Sequence, residues 1–211
     1  MSTPDPKRIV AAGYDRIGDA YARDSLRTRV EERERYTRLL FDHLPPGARV
    51  LDLGCGSGVP TTRCLAERFA VTGVEISPEQ VRRARANVPH VPFVQADMTA
   101  LQLPPASLDA VAAFYSIIHV PREELPRLFR SIHGWLVPGG VFVGALGAHD
   151  EQEEIAADWL GAPMYWSFFD ADSNLRMLQA AGLSVLSSRL ETADEDGTPV
   201  TFLWVLARKE G

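Results

Sequence analysis

The sequence has little of what disulfide-stabilised and membrane-spanning proteins need. It contains two cysteines, Cys55 and Cys64, in 211 residues, too few for a disulfide framework, and we expect both to be reduced thiols. No apolar run approaches the roughly 20 residues that cross a bilayer. Residues 1–10 also lack the apolar stretch of a secretory signal. These absences predict a cytoplasmic protein with no membrane partner.

A basic surface and a metal-binding pattern are also missing. The formal net charge is -6, whereas nucleic-acid binding favours a basic surface. The cluster of Arg82, Arg83 and Arg85 is equally explained by a solvated helix face. No group of acidic or histidine residues has the spacing of metal ligands. We therefore expect no metal and no nucleic-acid partner, in a chain whose length and 45% hydrophobic content fit one globular domain.

Short apolar segments alternate with helix-like segments from Ala48 onward. Their composition predicts strands over 48–53, 70–76, 91–96, 108–114 and 141–146. A helix is expected after the first of these, to about Phe69, and another over 121–136. A third should start at Ser77, which can cap it, with Gln80 completing a capping box. Continuous apolar strands separated by helices predict a parallel sheet covered on both faces.

Three segments lie outside this alternation. Residues 1–45 are predicted to be helical and precede the first strand. Residues 147–171 form an insertion after the fifth strand, where α/β proteins place substrate contacts. Near the end, 183–190 and 199–206 flank an acidic turn with no room for a helix. We expect these last two segments to form an antiparallel hairpin at the sheet edge.

The most informative segment is the glycine loop Val50–Gly58, which reads ValLeuAspLeuGlyCysGlySerGly. Glycine at alternate positions lets a ligand approach the backbone closely. A dinucleotide-binding GxGxxG motif would need glycine at Val59, and a P-loop would need a lysine that is absent. The carboxylate of Asp52 would repel a phosphate and attract a ligand that carries ammonium and sulfonium groups.

Two more carboxylates follow the next predicted strands. Glu75 lies about 20 residues beyond the glycine loop, where nucleotide sites place an acid that accepts bonds from ribose hydroxyls. Asp97 ends the third strand and can accept from an exocyclic amine, while Met98 can lie against a purine ring. With Asp52, these acids end three successive strands and should converge on one edge of the sheet.

This combination resembles the class I S-adenosylmethionine-dependent methyltransferases over about residues 46–146. The segment TrpLeuValProGlyGlyValPhe, 135–142, is similar to that family's turn before its fifth strand. The resemblance implies a Rossmann-like, doubly wound α/β sheet of seven strands, with helices on both faces. It would be mostly parallel, with an antiparallel strand in the C-terminal hairpin. The implied cofactor is S-adenosyl-L-methionine.

The resemblance also implies one methyltransferase domain over 1–211. Its parts would be an N-terminal helical lid or cap (1–45), a cofactor-binding core (46–146), an acceptor-side insertion (147–171), and a last helix with the terminal hairpin (172–211). The residues it assigns to the cofactor are Tyr14, Tyr21, Asp52, Gly54, Cys55, Gly56, Glu75, Ile76, Asp97, Met98, Phe114 and Ser116. Among them, Asp52 and the glycines would hold the methionine part, Glu75 the ribose, and Asp97 the adenine edge.

An apolar stripe at helical spacing spans Val10–Tyr21. It predicts either a helix packed on the core or a mobile lid over the cofactor. Gly13 and Gly18 weaken such a helix by up to ~1 kcal/mol each relative to alanine, which suits a lid. The resemblance favours the lid, because tyrosines at positions like Tyr14 and Tyr21 close over the cofactor in small-molecule members.

The acceptor side is less defined. The Asn/Asp-Pro-Pro-Tyr motif of enzymes that methylate amino groups of nucleic acid and protein is replaced here by PheTyrSerIle, 114–117. This favours methyl transfer to an oxygen, a carbon or an alkyl amine of a small molecule. His119 and His149 are candidate general bases or acceptor contacts. Alternatively, His119 caps or packs beside the next helix, and His149 belongs to a turn. The insertion supplies a possible aromatic wall for the acceptor, or packing residues: Trp159, Tyr165, Trp166 and Phe168.

Two other functions remain open from the sequence alone. One is a nicotinamide-dependent oxidoreductase of related topology, and the other is a non-catalytic cofactor-binding module. The sequence indicates neither the acceptor nor the oligomeric state.

Overall fold

The structure is a computed structural model that describes residues 5–195 and 197–211. The start of the predicted N-terminal segment, residues 1–4, and one residue of the predicted acidic turn, 196, lie outside the described residues. The helices are α1 (Pro6–Ser25), α2 (Val30–His43), α3 (Thr61–Ala66), α4 (Pro78–Asn87), α5 (Leu125–Trp135) and α6 (Ala171–Ala180). The strands are β1 (Arg49–Leu53), β2 (Ala70–Glu75), β3 (Phe93–Gln95), β4 (Leu108–Ala113), β5 (Leu136–Gly147), β6 (Glu151–Trp159), β7 (Ala162–Phe168), β8 (Leu183–Glu195) and β9 (Thr198–Lys209).

The main sheet has seven strands in the order β3-β2-β1-β4-β5-β9-β8. Neighbours among β1 to β5 pair in parallel, and β9 is antiparallel to both β5 and β8. The predicted fold class and the terminal hairpin are therefore confirmed. Strand order reverses between β1 and β4, and such a switch point opens a ligand-binding crevice at the carboxyl ends of the strands.

Alternation along the strands produces two hydrophobic cores, one on each face of the sheet. On β1, Val50 packs with the α2 residue Leu40 in one cluster, while Leu51 and Leu53 pack in the other with the α5 residue Phe129. Successive strand residues point to opposite faces, so both faces need apolar side chains. This is why the strands read as continuous apolar runs.

The predicted start of α4 is correct, but its capping box is half formed. The hydroxyl of Ser77 accepts a hydrogen bond from the backbone N–H of Gln80 at 3.0 Å. The side chain of Gln80 donates instead to the carbonyl of Tyr14, at 3.3 Å. A tertiary contact with α1 has therefore replaced the local bond that the motif predicts.

The predicted insertion folds into a hairpin of its own. β6 and β7 pair antiparallel in a separate two-stranded sheet, and β7 packs against α1. No strands were predicted for this segment, because its charged and aromatic residues do not alternate cleanly. α1 lies over the carboxyl ends of the parallel strands, and the hairpin packs against α1.

Candidate functional site

The glycine loop is held against the end of β4 by a very close backbone approach. Gly54 has φ +72°, and a Cβ added to it would overlap the side chain of Ser116. The Ser116 hydroxyl donates to the carbonyl of Leu53 at 2.6 Å. Only glycine meets both the left-handed backbone and the lack of space at position 54.

An inner cavity of about 620 Å³ lies over the ends of β1, β2 and β4 and beneath α1. A smaller lobe of about 320 Å³ adjoins it and shares Tyr21, Gly54 and Gly56. Every residue that the resemblance assigned to the cofactor lines one or both of these spaces. The inner cavity is lined by Tyr14, Tyr21, Gly54, Gly56, Glu75, Ile76, Asp97, Met98 and Ser116. The lobe adds Asp52, Cys55 and Phe114.

The carboxylate of Glu75 connects the glycine loop to the end of β2. It accepts hydrogen bonds from the backbone N–H groups of Gly56 (3.0 Å), Ile76 (2.8 Å) and Ser77 (2.9 Å). Burial raises the pKa of Glu75, and these N–H donors oppose that rise. The acid thus fixes the loop and still faces the inner cavity.

Asp52 faces the lobe from the end of β1. The hydroxyl of Thr62 donates to it at 2.6 Å. Burial raises the pKa of Asp52 to about 6, although the Thr62 bond and the charge of Arg33 act in the opposite direction. A cationic group bound in the lobe would favour the ionised form of this acid.

Three residues that line the lobe also have polar side-chain atoms that form no hydrogen bond within the described part of the chain. They are Nε of Arg33, Oγ of Ser57 and Oγ1 of Thr61, and all are buried. The Arg33 guanidinium lies over the Tyr115 ring, 4.4 Å from its centroid. Arg33 was not predicted from the sequence, because an arginine in a highly charged helix gives no local signal. Buried polar atoms normally have partners, so these indicate space for a polar ligand.

At the other end of the inner cavity, Asp97 is held by an ion cluster. Lys7 of α1 donates to Asp97 at 2.8 Å, to Thr99 at 2.7 Å and to Glu124 at 2.7 Å. The pKa of Asp97 is lowered: burial alone would raise it, but the bonds from Lys7 and Thr99 outweigh that. Lys7 was not singled out from the sequence, since its partners lie 90 or more residues away in the chain.

The helix α1 covers the inner cavity and packs in a cluster separate from the two main cores. Val10 and Ile17 contact Met164 and other β7 residues there. A Cβ added to Gly13 would lie 2.7 Å from the carbonyl oxygen of Pro163, and one on Gly18 would meet the Arg83 guanidinium. The two glycines therefore permit close packing on β7 and α4, which the sequence alone did not indicate.

His119 and Tyr14 form a hydrogen-bonded pair between two cavities. Nδ1 of His119 lies 2.7 Å from the carbonyl oxygen of Tyr165, and Nε2 lies 2.9 Å from the Tyr14 hydroxyl. Because a carbonyl only accepts, Nδ1 carries the proton and Nε2 accepts from Tyr14. Burial lowers the pKa of His119 to about 4, so the ring is neutral at pH 7.

An outer cavity of about 1530 Å³ lies on the far side of this pair. It shares a wall with the inner cavity, formed by Tyr14, Tyr21, Tyr115 and His119. Three of the four aromatic residues predicted in the insertion line it: Trp159, Trp166 and Phe168. Tyr165 does not, since it is buried with α1 residues. His149 is exposed at the rim and packs edge-to-face on Phe168 at 4.9 Å.

Tyr115 occupies the shared wall in a strained conformation. Its φ of 58° is unusual for a bulky residue and costs on the order of 1–3 kcal/mol. The hydroxyl donates to the buried Glu32 at 2.6 Å, and Nε1 of Trp204 donates to the same carboxylate at 3.1 Å. Arg29 also pairs with Glu32. This network fixes Tyr115 between the two cavities.

Comparison with known proteins places this geometry in a family. Residues 50–140 match the family model described as a methyltransferase domain. One relative is a sterol 24-C-methyltransferase of Gibberella zeae, 31% identical over 77% of this chain and 46% of its own length. Another is the 2-methyl-6-phytyl-1,4-hydroquinone methyltransferase of Synechocystis sp., 32% identical over 73% of this chain and 51% of its own.

A third relative is the 27-O-demethylrifamycin SV methyltransferase of Amycolatopsis mediterranei, 36% identical over 66% of this chain and 58% of its own length. The chain thus spans about half the length of the curated relatives it matches. Among solved structures, a SAM-dependent methyltransferase of Methanosarcina mazei has the same fold. Its TM-score is 0.72 at 18% identity, over 82% of this chain and 97% of that one.

Proposed function

The chain contains a methyltransferase domain of the class I S-adenosylmethionine-dependent type, and from this premise we propose that it methylates a small molecule bound in the outer cavity. The observation that carries the proposal is the wall shared by the two cavities. In-line transfer needs the acceptor atom about 3–3.5 Å from the methyl group, so donor and acceptor would meet where the two cavities adjoin, with none of the four shared side chains between them. The relatives support methyl transfer over the nicotinamide alternative.

The polar and charged groups that line the inner cavity and the lobe fit S-adenosylmethionine. The lobe presents a cation, Arg33, and an anion, Asp52, which suit the carboxylate and ammonium of an amino acid. We assign the unpaired Arg33 Nε to that carboxylate. Glu75 suits the ribose hydroxyls, and Asp97 the adenine amine, with Met98 beside the ring.

S-adenosylmethionine supplies a methyl group already activated by its sulfonium. The chain's own task is to align the acceptor and exclude water, which can lower the barrier by about 7–11 kcal/mol at best. The aromatic wall and α1 shield the shared boundary from solvent. Where the acceptor loses a proton, the Tyr14 hydroxyl would accept it and pass its own proton to Nε2 of His119, although the lowered pKa makes this ring a weak base near pH 7.

The acceptor is proposed to react through an oxygen, a carbon or an alkyl amine. His149 lies at the rim, so we propose for it a contact with the outer part of the acceptor rather than with the reacting atom. Among the described residues, no helix is long and apolar enough to span a membrane. A cytoplasmic location stays a prediction from the sequence, as does the lack of a nucleic-acid partner.

Arg33 provides the test of this assignment. Arg33→Gln should weaken S-adenosylmethionine binding about tenfold or more, the range for a hydrogen bond to a charged group. The control is Arg38→Gln, an exposed residue on the same helix, which should leave the affinity unchanged. Calorimetry measures both, and release of S-adenosylhomocysteine over an acceptor panel measures turnover.

Two results would contradict the proposal. Equal affinities of wild type and Arg33→Gln would remove Arg33 from the cofactor site. Tight cofactor binding without turnover on any acceptor would favour the non-catalytic module.

A further inference from the structure

Four large aromatic side chains that are only partly buried line the outer cavity. Trp159, Trp166 and Phe168 extend from the β6–β7 hairpin, and Phe202 faces the cavity from β9. All four side chains are half-buried, whereas the neighbouring Trp204 is fully buried. Large rings are normally covered in a packed interior. Their partial exposure inside a concave space indicates a surface that a ligand covers.

The ring geometry indicates the shape of that ligand. Trp159 meets Trp166 at 86° with centroids 5.6 Å apart, and Tyr14 at 78° and 5.9 Å. On the core side, Tyr115 meets Phe202 at 75° and 5.0 Å. In an edge-to-face pair the edge of one ring covers one face of the other, so within each pair every ring keeps at least one flat face available for stacking. A planar ring system matches these faces better than a saturated one.

The charges around the cavity indicate the ligand's charge. Arg29 of its lining is already paired with Glu32 and Glu195 and donates to the carbonyl of Val200. Arg33 also lines the lobe, where it is assigned to the cofactor. The remaining charged groups that line the cavity are acidic: Asp24 from α1, and Glu154 and Asp158 from β6. An anionic acceptor would be repelled by these carboxylates.

We propose that the outer cavity selects a planar aromatic acceptor that is neutral or cationic, and discriminates against carboxylated and saturated molecules of the same size. The proposal rests on the proposed function, which makes this cavity the acceptor site. Phe168 and Trp166 would stack on the acceptor, and Glu154 would contribute to the rejection of anions.

Calorimetry on the full chain saturated with S-adenosylhomocysteine tests the selection with three probes of one skeleton. They are 2-naphthol, its saturated counterpart decahydro-2-naphthol, and the anionic 3-hydroxy-2-naphthoate. The aromatic alcohol should bind at least tenfold more tightly than either of the others. Glu154→Gln should raise the affinity for the naphthoate severalfold and leave that for 2-naphthol unchanged.

A pair of neighbouring residues supplies the matched variants. Phe168→Leu should weaken 2-naphthol binding at least tenfold. Phe169→Leu should not, because Phe169 packs in the core on the opposite side, under the guanidinium of Arg122 at 3.8 Å. Both variants should bind S-adenosylhomocysteine as the wild type does, which also verifies that they fold.

The outcomes separate this inference from the proposed function. Equal affinities for 2-naphthol and decahydro-2-naphthol, or an unchanged affinity in Phe168→Leu, would overturn the aromatic selection although the cofactor site remains intact. Preferred binding of the naphthoate would overturn the charge selection. If S-adenosylhomocysteine itself did not bind, the proposed function would fail first.

Discussion

Glu75 illustrates, at the residue scale, how a candidate binding acid is also part of the fold. Its carboxylate accepts from three backbone N–H groups, one of them in the glycine loop. A ribose would add further donors to an acceptor that is already fixed in place. Preorganisation of this kind reduces the ordering cost of binding. Because Glu75 also holds the glycine loop, its replacement should change both the candidate cofactor site and the local backbone.

Two substitutions at Glu75 should therefore differ. Both Glu75→Ala and Glu75→Gln should weaken S-adenosylmethionine binding by ~1.5–3 kcal/mol, because a charged acceptor is lost. Glu75→Ala should also lower the free energy of unfolding by ~1–3 kcal/mol, since buried N–H groups lose their partner. Glu75→Gln keeps one acceptor oxygen and should lose less stability.

Calorimetry and urea unfolding provide the two measurements, with the exposed Glu67→Gln as control. Unchanged cofactor affinity in folded Glu75→Gln would remove Glu75 from the site.

At the scale of elements, α1 covers the inner cavity and packs in a hydrophobic cluster of its own. It buries Val10 and Ile17 against β7, apart from both main cores, and Lys7 secures its first turn. Opening α1 would break its bonds to α4, such as that from Gln80 to the Tyr14 carbonyl, but the two main cores do not include α1 residues. A unit with separate packing can open locally at a lower free energy than global unfolding requires. We therefore favour the lid over the core-packing alternative.

Gly13→Ala should loosen the packing of α1 and so tests the lid interpretation. The new methyl group would lie 2.7 Å from the Pro163 carbonyl oxygen and 2.8 Å from the Met164 side chain, which forces α1 off β7. Amide exchange over Pro6–Ser25 should become faster, and cofactor affinity should fall several-fold. The main sheet should keep its protection.

The matched control is Gly134→Ala, in α5, where nothing lies within 4 Å of the new Cβ. It should stabilise the protein by up to ~1 kcal/mol through helix propensity. Should α1 and the main sheet lose protection together in Gly13→Ala, α1 would be part of the core and the lid interpretation would be wrong.

At the scale of the whole molecule, two buried groups make stability depend on pH in opposite directions. The pKa of His119 falls from 6.5 to about 4 on folding, so its stability contribution is full above pH 6.5 and is lost as pH falls towards 4. The pKa of Asp52 rises from 3.8 to about 6, so its contribution is full below 3.8 and is lost as pH rises through 6. Each of these two contributions to the free energy of unfolding is on the order of 3 kcal/mol. Because they change with pH in opposite directions, they nearly cancel between pH 4 and 6.5.

Replacing either Asp52 or His119 should reveal the effect of the other residue on the pH dependence of stability. Asp52→Asn should lose stability more steeply than wild type as pH falls from 6.5 to 4.5, because less of the penalty from His119 is offset once Glu75, whose pKa is also raised, opposes it without Asp52. His119→Gln should instead gain stability, relative to its own value at pH 6.5, over the same fall. Urea unfolding at several pH values measures both slopes. Parallel curves for wild type and both variants would refute the opposed pKa shifts.

The sequence by itself determined the fold class and the edge of the sheet that carries the site. Strand periodicity and the glycine loop are local properties, and the carboxyl ends of parallel strands meet wherever such a sheet forms. For that reason Asp52, Glu75 and Asp97 could be grouped without a structure. The terminal hairpin followed from the same reasoning, because its turn leaves no room for a helix.

Only the tertiary structure decided which residues from other elements complete the site. Arg33 and Lys7 reach it from helices far away in the chain, and no spacing rule relates them to the glycine loop. Tyr14 meets His119 across 105 residues, and Tyr165 turns its side chain into the α1 contact instead of the outer cavity. Such contacts depend on how α1 and the β6–β7 hairpin pack over the sheet. Packing of this kind depends on the complementary shapes of whole surfaces, as at the glycines of α1. The local sequence does not encode such complementarity.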